Sequence, residues 1–156
     1  MQTITLVDRE GAELDIVRSL FTEYAAELNE DLCFQSFEAE LQDPLKKYVQ
    51  PGGTIMLAYI DDEPAGCIAL MPMAEAGVCE MKRLYVRPAF RKSGIGKELV
   101  RLLLDLAKEK GFTCMKLDTL SKLQPAIRLY EHFGFTHTNA YYHNPLPGVV
   151  YMEKEL

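Results

Sequence analysis

Long apolar runs, clustered cysteines and excess positive charge are all missing from this 156-residue chain. The most apolar stretch, Leu99 to Ala107, holds Arg101 and Asp105 and is far shorter than the ~20 residues that cross a bilayer, so no membrane association is expected. Cys33, Cys67, Cys79 and Cys114 show no CxxC or Cys/His ligand spacing, which argues against a zinc site, and no metal is expected. The N-terminus lacks the basic, apolar and small-residue succession of a secretory signal. The four cysteines therefore read as free thiols in a reducing compartment, and the expected location is cytoplasmic. A net charge of −6 disfavours nucleic acid as the main partner. No internal repeat or low-complexity segment is present. With 48% apolar residues, disorder is disfavoured, and the length suits a single domain over 1–156 that can bury a core without staples.

What is present is a regular succession of elements. Thr3 to Val7 alternates as a first strand, and Glu13 to Asn29 has apolar residues at helical spacing. Ser36 to Leu41 predicts a short helix capped by Ser36. Thr54 to Ile60, Ala65 to Met73 and Val78 to Val86 read as three strands joined by short turns, an antiparallel meander. The stripe Ile95, Leu99, Leu102, Leu103, Leu106 and Ala107 predicts a helix that stops before Gly111. Thr113 to Asp118 follows as a strand, and this strand–helix–strand unit calls for a right-handed parallel crossover. A helix capped by Ser121, with Pro125 in its early part, runs to Gly134. Phe135 to Thr138 and Val149 to Glu153 close the chain as strands.

The most informative stretch is 80–97, where a strand ends at Pro88, a basic loop carries Gly94 and Gly96, and an apolar helix follows at once. Loop N–H groups and a helix N-terminus together favour an anion, and a phosphorylated cofactor is the expected ligand. Between Met81 and Lys97 stand six basic residues and no acid; with −6 overall, −12 is left for the remainder. Such a local field can steer a small polyanion, although it can also be a solvated cationic face. Within the preceding strand, Cys79 and Met81 are apolar on odd positions, but Leu84 and Val86 on even ones. That slip of phase fits a bulge near Lys82 or Arg83, or a strand buried on both faces.

Two nucleotide motifs fail here. A Walker A loop needs glycine where Arg91 stands, and a dinucleotide fingerprint needs glycine where Leu99 stands. Arg91-Lys92-Ser93-Gly94-Ile95-Gly96 instead fits Q/R-x-x-G-x-G/A, after a Leu-Tyr-Val-Arg-Pro strand end. Further on, Ala126 to Phe135 fits A-x-x-L-Y-x-x-x-G-F. In these segments the chain resembles the GCN5-related N-acetyltransferase family, strongly from Thr54 to Phe135. The run Tyr141 to Gly148 resembles small bacterial members with no assigned substrate.

The resemblance implies an α/β (α+β) fold: a mixed, mostly antiparallel sheet of six to seven strands, with about four helices on both faces and a splayed central strand. It implies acetyl-CoA as acyl donor, with its pyrophosphate on the N–H groups of Lys92, Ser93, Gly94, Ile95 and Gly96 and with Arg91 nearby. The pantetheine arm would pair like an added strand with Leu84, Tyr85 and Val86. Many members carry an Asn where this chain has Leu123; Gln124 is the substitute candidate. The implied reaction is direct transfer of acetyl to a primary amine of a small molecule or peptide in a ternary complex; a homodimer is compatible with it.

Such a transfer needs a base for the ammonium, polarisation of the thioester and an acid for the departing thiolate. Glu80, eleven residues before Arg91, stands where members with a strand glutamate keep their base. Ion pairing with Lys82 is its ordinary alternative. Tyr130 matches the helix tyrosine that members place beside the sulfur; a core tyrosine is the ordinary alternative. The N–H near Val86 is a candidate for polarising the carbonyl. Cys79 as an acyl carrier is disfavoured, because alternation turns it away from Glu80. His132, His137 and His143 read as surface residues. Candidate acceptor-pocket residues are Phe21, Tyr24, Phe34, Phe37, Tyr141, Tyr142 and Asn144. A non-catalytic acyl-CoA-binding or sensing module is the rival function, and a structural domain whose loop binds another anion is the third. The pairing of Glu80 with Tyr130 favours the enzyme.

Overall fold

A computed structural model describes residues 1–32, 36–49 and 51–156. Cys33, assigned above as a free thiol, and Phe34, assigned to the acceptor pocket, lie outside the described residues. Among the described residues the chain forms β1 (Gln2–Leu6), α1 (Ala12–Leu28), α2 (Phe37–Gln42), α3 (Pro44–Lys47), β2 (Thr54–Ile60), β3 (Glu63–Pro72) and β4 (Val78–Val86). Then follow α4 (Ile95–Glu109), β5 (Cys114–Leu120), α5 (Gln124–His132), β6 (Thr136–His137) and β7 (Val149–Glu155). One sheet of seven strands has the order β1-β2-β3-β4-β5-β7-β6. Every neighbouring pair is antiparallel except β4 and β5, which the α4 crossover makes parallel.

Both faces of the sheet are covered. Met56, Ile68, Leu70 and Met81 pack with Leu99 and Leu103 of α4 and Ile127 of α5. On the other face Ile55, Leu57, Cys67 and Ala69 pack with Leu14, Val17 and Phe21 of α1. Strand alternation divides β2 and β3 between the two clusters, which is why their sequences read as unbroken apolar runs.

The described residues hold five helices, one of them the single turn α3, which Pro44 opens with its fixed φ. Two local expectations are corrected. Ser36 precedes α2 but makes no side-chain cap; its φ of 55° puts it in the left-handed region instead. Ser121 does not cap α5 either. The residue before that helix is Leu123, and Ser121 N–H donates to Gly148 O at 2.7 Å across the C-terminal loop.

The phase slip in β4 is a bulge. Cys67 faces Tyr85 and Ala69 faces Lys82, so Ile68 alone on β3 opposes Arg83 and Leu84 on β4. Arg83 has φ 61°, the left-handed conformation that absorbs an extra residue. As a result Cys79, Met81, Leu84 and Val86 all join the α4 face, although their numbering changes parity. Beyond the bulge, Gly66 on β3 lets the strands close up: a Cβ there would stand 2.5 Å from Tyr85 O. On its other edge β4 pairs with β5 only from Val78 to Glu80, opposite Cys114 to Lys116. From Met81 onward the two parallel strands separate, and the gap between them holds the site.

Candidate active site

The loop after β4 is shaped for an anion. Pro88–Phe90 makes a single 3-10 turn, and Gly94 takes φ 85° as the residue before α4. No Cβ would clash at Gly94, so its glycine serves the backbone angle and an open approach. Ser93 Oγ accepts Ile95 N–H at 3.3 Å. The N–H groups of Gly96 and Lys97, in the first turn, have no intrahelical carbonyl to bind. Gly94, Gly96 and Lys97 border a groove of about 410 Å³ that runs past Leu84, Tyr85 and Val86 toward α5. Arg87 N–H donates to Ala65 O on β3 at 2.8 Å, so by alternation the N–H of Val86 faces the open side.

The basic window is less free than its count suggests. Arg83 is buried and donates to both Glu40 oxygens, at 2.8 and 2.9 Å. Arg87 pairs with Glu23 at 2.8 Å. Arg91 pairs with Glu27 and donates to Val86 O at 2.9 Å. Lys82 is buried. Lys92 and Lys97 remain exposed at the loop and the helix start, where an anion would meet them.

The groove shares Tyr24, Leu84, Leu123 and Ala126 with a small cavity of about 60 Å³ in the gap between β4 and β5. This junction cavity shares Asn144 and Leu146 with an open basin of about 610 Å³ bounded by Tyr141, Tyr142, His143 and Tyr151. Groove and basin thus each share a wall with the junction. Tyr130, Lys82 and Asp118 border the junction.

Tyr130 is both a core and a cavity residue. Its ring packs edge-on against Phe135 at 6.0 Å, and only 7% of it is exposed. Burial pushes its hydroxyl pKa up, so it stays protonated at neutral pH. Glu80 is also buried, but it does not border the junction. It accepts Tyr141 O–H at 2.6 Å, and Lys82 Nζ stands 3.9 Å away. Burial, with Glu80 as neighbour, raises the Tyr141 pKa as well. Cys79 points into the α4 face, and burial pushes its thiol up to about 12, the opposite of an activated nucleophile.

Among the other predicted residues, Gln124 turns its amide onto Ser121 O, while its neighbours Leu123 and Pro125 border the groove. Tyr24 borders groove and junction, and Tyr141, Tyr142 and Asn144 border the basin. Phe21 is fully buried in the α1 core, and Phe37 packs under the Arg83 guanidinium at 5.4 Å. His143 lies on the basin wall, and His132 is exposed against Phe133.

Sequence reasoning missed Asp118. Its Oδ2 accepts Asn144 Nδ2 at 2.7 Å and the Tyr142 hydroxyl, and Asn144 Oδ1 in turn accepts Leu146 N–H at 3.0 Å. The signal was its phase: on β5, Met115 and Leu117 face α4, so Lys116 and Asp118 face the Glu80 side.

A split parallel pair in an otherwise antiparallel sheet thus opens beside a glycine loop that leads into a helix. The model of the acetyltransferase (GNAT) family matches residues 15–135. An uncharacterised N-acetyltransferase of Schizosaccharomyces pombe is 45% identical over 92% of this chain and 89% of its own length. The uncharacterised N-acetyltransferase YjgM of Escherichia coli is 32% identical over 88% of this chain and 81% of its own. A Bacillus subtilis acetyltransferase solved in complex with CoA shares the fold, with a TM-score of 0.69 at 20% identity over 100% of this chain and 99% of that one. The chain belongs to the GNAT acetyltransferase family, and it is an acyltransferase enzyme. No helix among the described residues is long and apolar enough to cross a membrane.

Proposed function

We propose that the protein moves an acetyl group from acetyl-CoA to a primary amine by direct transfer. The single observation that carries this reading is that the groove and the basin both adjoin the junction, with Tyr130 at its wall. The CoA complex of the Bacillus subtilis relative supports the donor. Acetyl-CoA would lie along the groove with its pyrophosphate at Lys92 to Gly96, its pantetheine beside Leu84 to Val86, and Arg91 and Gln124 at the margins. The amine would enter from the basin.

In the reaction the amine nitrogen attacks the thioester carbonyl carbon, the C–S bond breaks, and an acetamide and CoA thiol form. The N–H of Val86 polarises the carbonyl oxygen. Tyr130, held protonated by burial, gives its proton to the leaving thiolate and is restored by the second proton that leaves the nitrogen as the acetamide forms. The ammonium must lose a proton before attack. Asp118 borders the junction itself, whereas Glu80 does not, and its hydrogen bond goes to Tyr141 on the basin wall. Asp118 is therefore the direct acceptor in this reading, with Glu80 acting through the Tyr141 hydroxyl. The balance releases one proton to solvent.

Thermal stabilisation by CoA and acetyl-CoA, followed by thiol release across an amine panel, tests the assignment. Binding with turnover supports it. Binding with no turnover of any amine would favour the sensing module, and no stabilisation by either compound would sink both.

A further inference from the structure

Acetyl transfer as described leaves Lys82 without a task. Its side chain is 6% exposed, it borders the junction cavity, and it shares a sheet face with Glu80 and Asp118. An ammonium screened from bulk water gains from each acceptor that reaches its three N–H bonds. Among the described residues Lys82 makes no hydrogen bond, and its nearest carboxylate oxygen is Glu80 Oε1 at 3.9 Å. Glu80 accepts Tyr141 through Oε2 and turns Oε1 toward Lys82, and Asp118 accepts Tyr142 and Asn144 through Oδ2. Glu40 accepts Arg83, Lys47 and Tyr48. Lys82 therefore has donors to offer a group that enters the cavity.

We propose that Lys82 recognises a carboxylate on the acceptor, so that the substrates are amines that also carry a carboxylate: amino acids and their close analogues. This rests on the acetyl-transfer reading above. Asp118 meets the ammonium of such a compound and Lys82 its carboxylate, and both groups border one cavity of about 60 Å³. That space admits the head of an amino acid, with the rest of the molecule in the basin. A phosphate would be bulkier and doubly charged beside two acids, so the carboxylate is the better fit. An amine without a carboxylate leaves the Lys82 donors unmet, and sites built around polar partners reject analogues that lack them.

The test uses the purified protein in a thiol-release assay, with free amino acids, their C-terminal amides and the matching decarboxylated amines. The expected kcat/KM for amino acids exceeds that for the amides by about 10- to 100-fold, the scale of charge-assisted hydrogen bonds. In Lys82→Met that ratio falls toward one, while Lys82→Arg keeps more of it. Retained thermal stabilisation by acetyl-CoA reports that each variant is folded. Amides used as well as free amino acids, or a Lys82→Met loss that lowers both classes alike, would overturn the role of Lys82 and leave acetyl transfer standing. If a protein that binds acetyl-CoA turns over no amine at all, the transfer reading falls and this inference with it.

Discussion

The Glu40–Arg83 pair ties the bulge of β4 to α2, and breaking it tests how the site is held open. Both side chains are almost wholly buried, at 1% and 2% exposure. Glu40 accepts two bonds from Arg83, one from Lys47 at 2.8 Å and one from Tyr48 at 3.0 Å. Glu40→Ala leaves the Arg83 guanidinium buried without its counter-charge, which costs about 3–5 kcal/mol. At about 2–4 °C per kcal/mol for a chain of this size, Tm should fall by roughly 6–20 °C. Replacing both partners with apolar residues, Glu40→Leu with Arg83→Met, should recover much of the loss, because the desolvation of two ions disappears with them. Burial pushes the Glu40 carboxyl up, but the Arg83 bond and charge, aided by Lys47, overcome this and hold it below the ordinary 4.5. A depressed folded pKa means that the contribution is complete above the unfolded value and is lost as pH falls through the folded one. The stability gap between the wild type and Glu40→Gln should therefore be constant above pH about 5 and shrink only in more acid solution. Chemical denaturation across that range measures it. A Glu40→Ala loss under about 1 kcal/mol would refute the reasoning, because a buried guanidinium would then have found other compensation.

Three further outcomes are expected. Tyr130→Phe should lower kcat with little change in acetyl-CoA affinity, read by steady-state kinetics beside calorimetry; an unchanged kcat removes the acid role. Asp118→Asn should lower kcat/KM about 10²–10⁴-fold, whereas Glu80→Gln should cost less; the reverse order would return the direct role to Glu80. Gly94→Ala should cost about 1 kcal/mol in urea denaturation, because φ is 85° and no atom crowds the new Cβ. A neutral result there would mean that the loop relaxes to a right-handed conformation.

Much of the fold was legible because it rests on local periodicity. The bounds of β2 and β4 follow from runs of apolar residues between turn signals, and α4 from a single stripe ending before Gly111. The bulge was legible as a phase slip, because side-chain parity along a strand leaves only an irregularity or two-sided burial to explain it. The choice between the two came from the pairing of β4 with β3. Caps were less legible: Ser36 and Ser121 have the right chemistry, but neither side chain caps its helix.

By itself the sequence determined the family, the glycine loop and the helix that places Tyr130, because these are contiguous segments whose spacing carries their geometry. Only the tertiary structure decided the fate of the charges. Arg83, Arg87 and Arg91 find Glu40, Glu23 and Glu27, residues dozens of positions away. Asp118 borders the junction, Glu80 bonds Tyr141, and Lys82 stands 3.9 Å from Glu80 at the junction wall. A charge's role depends on which partner reaches it and how much water remains, and both are properties of non-local packing.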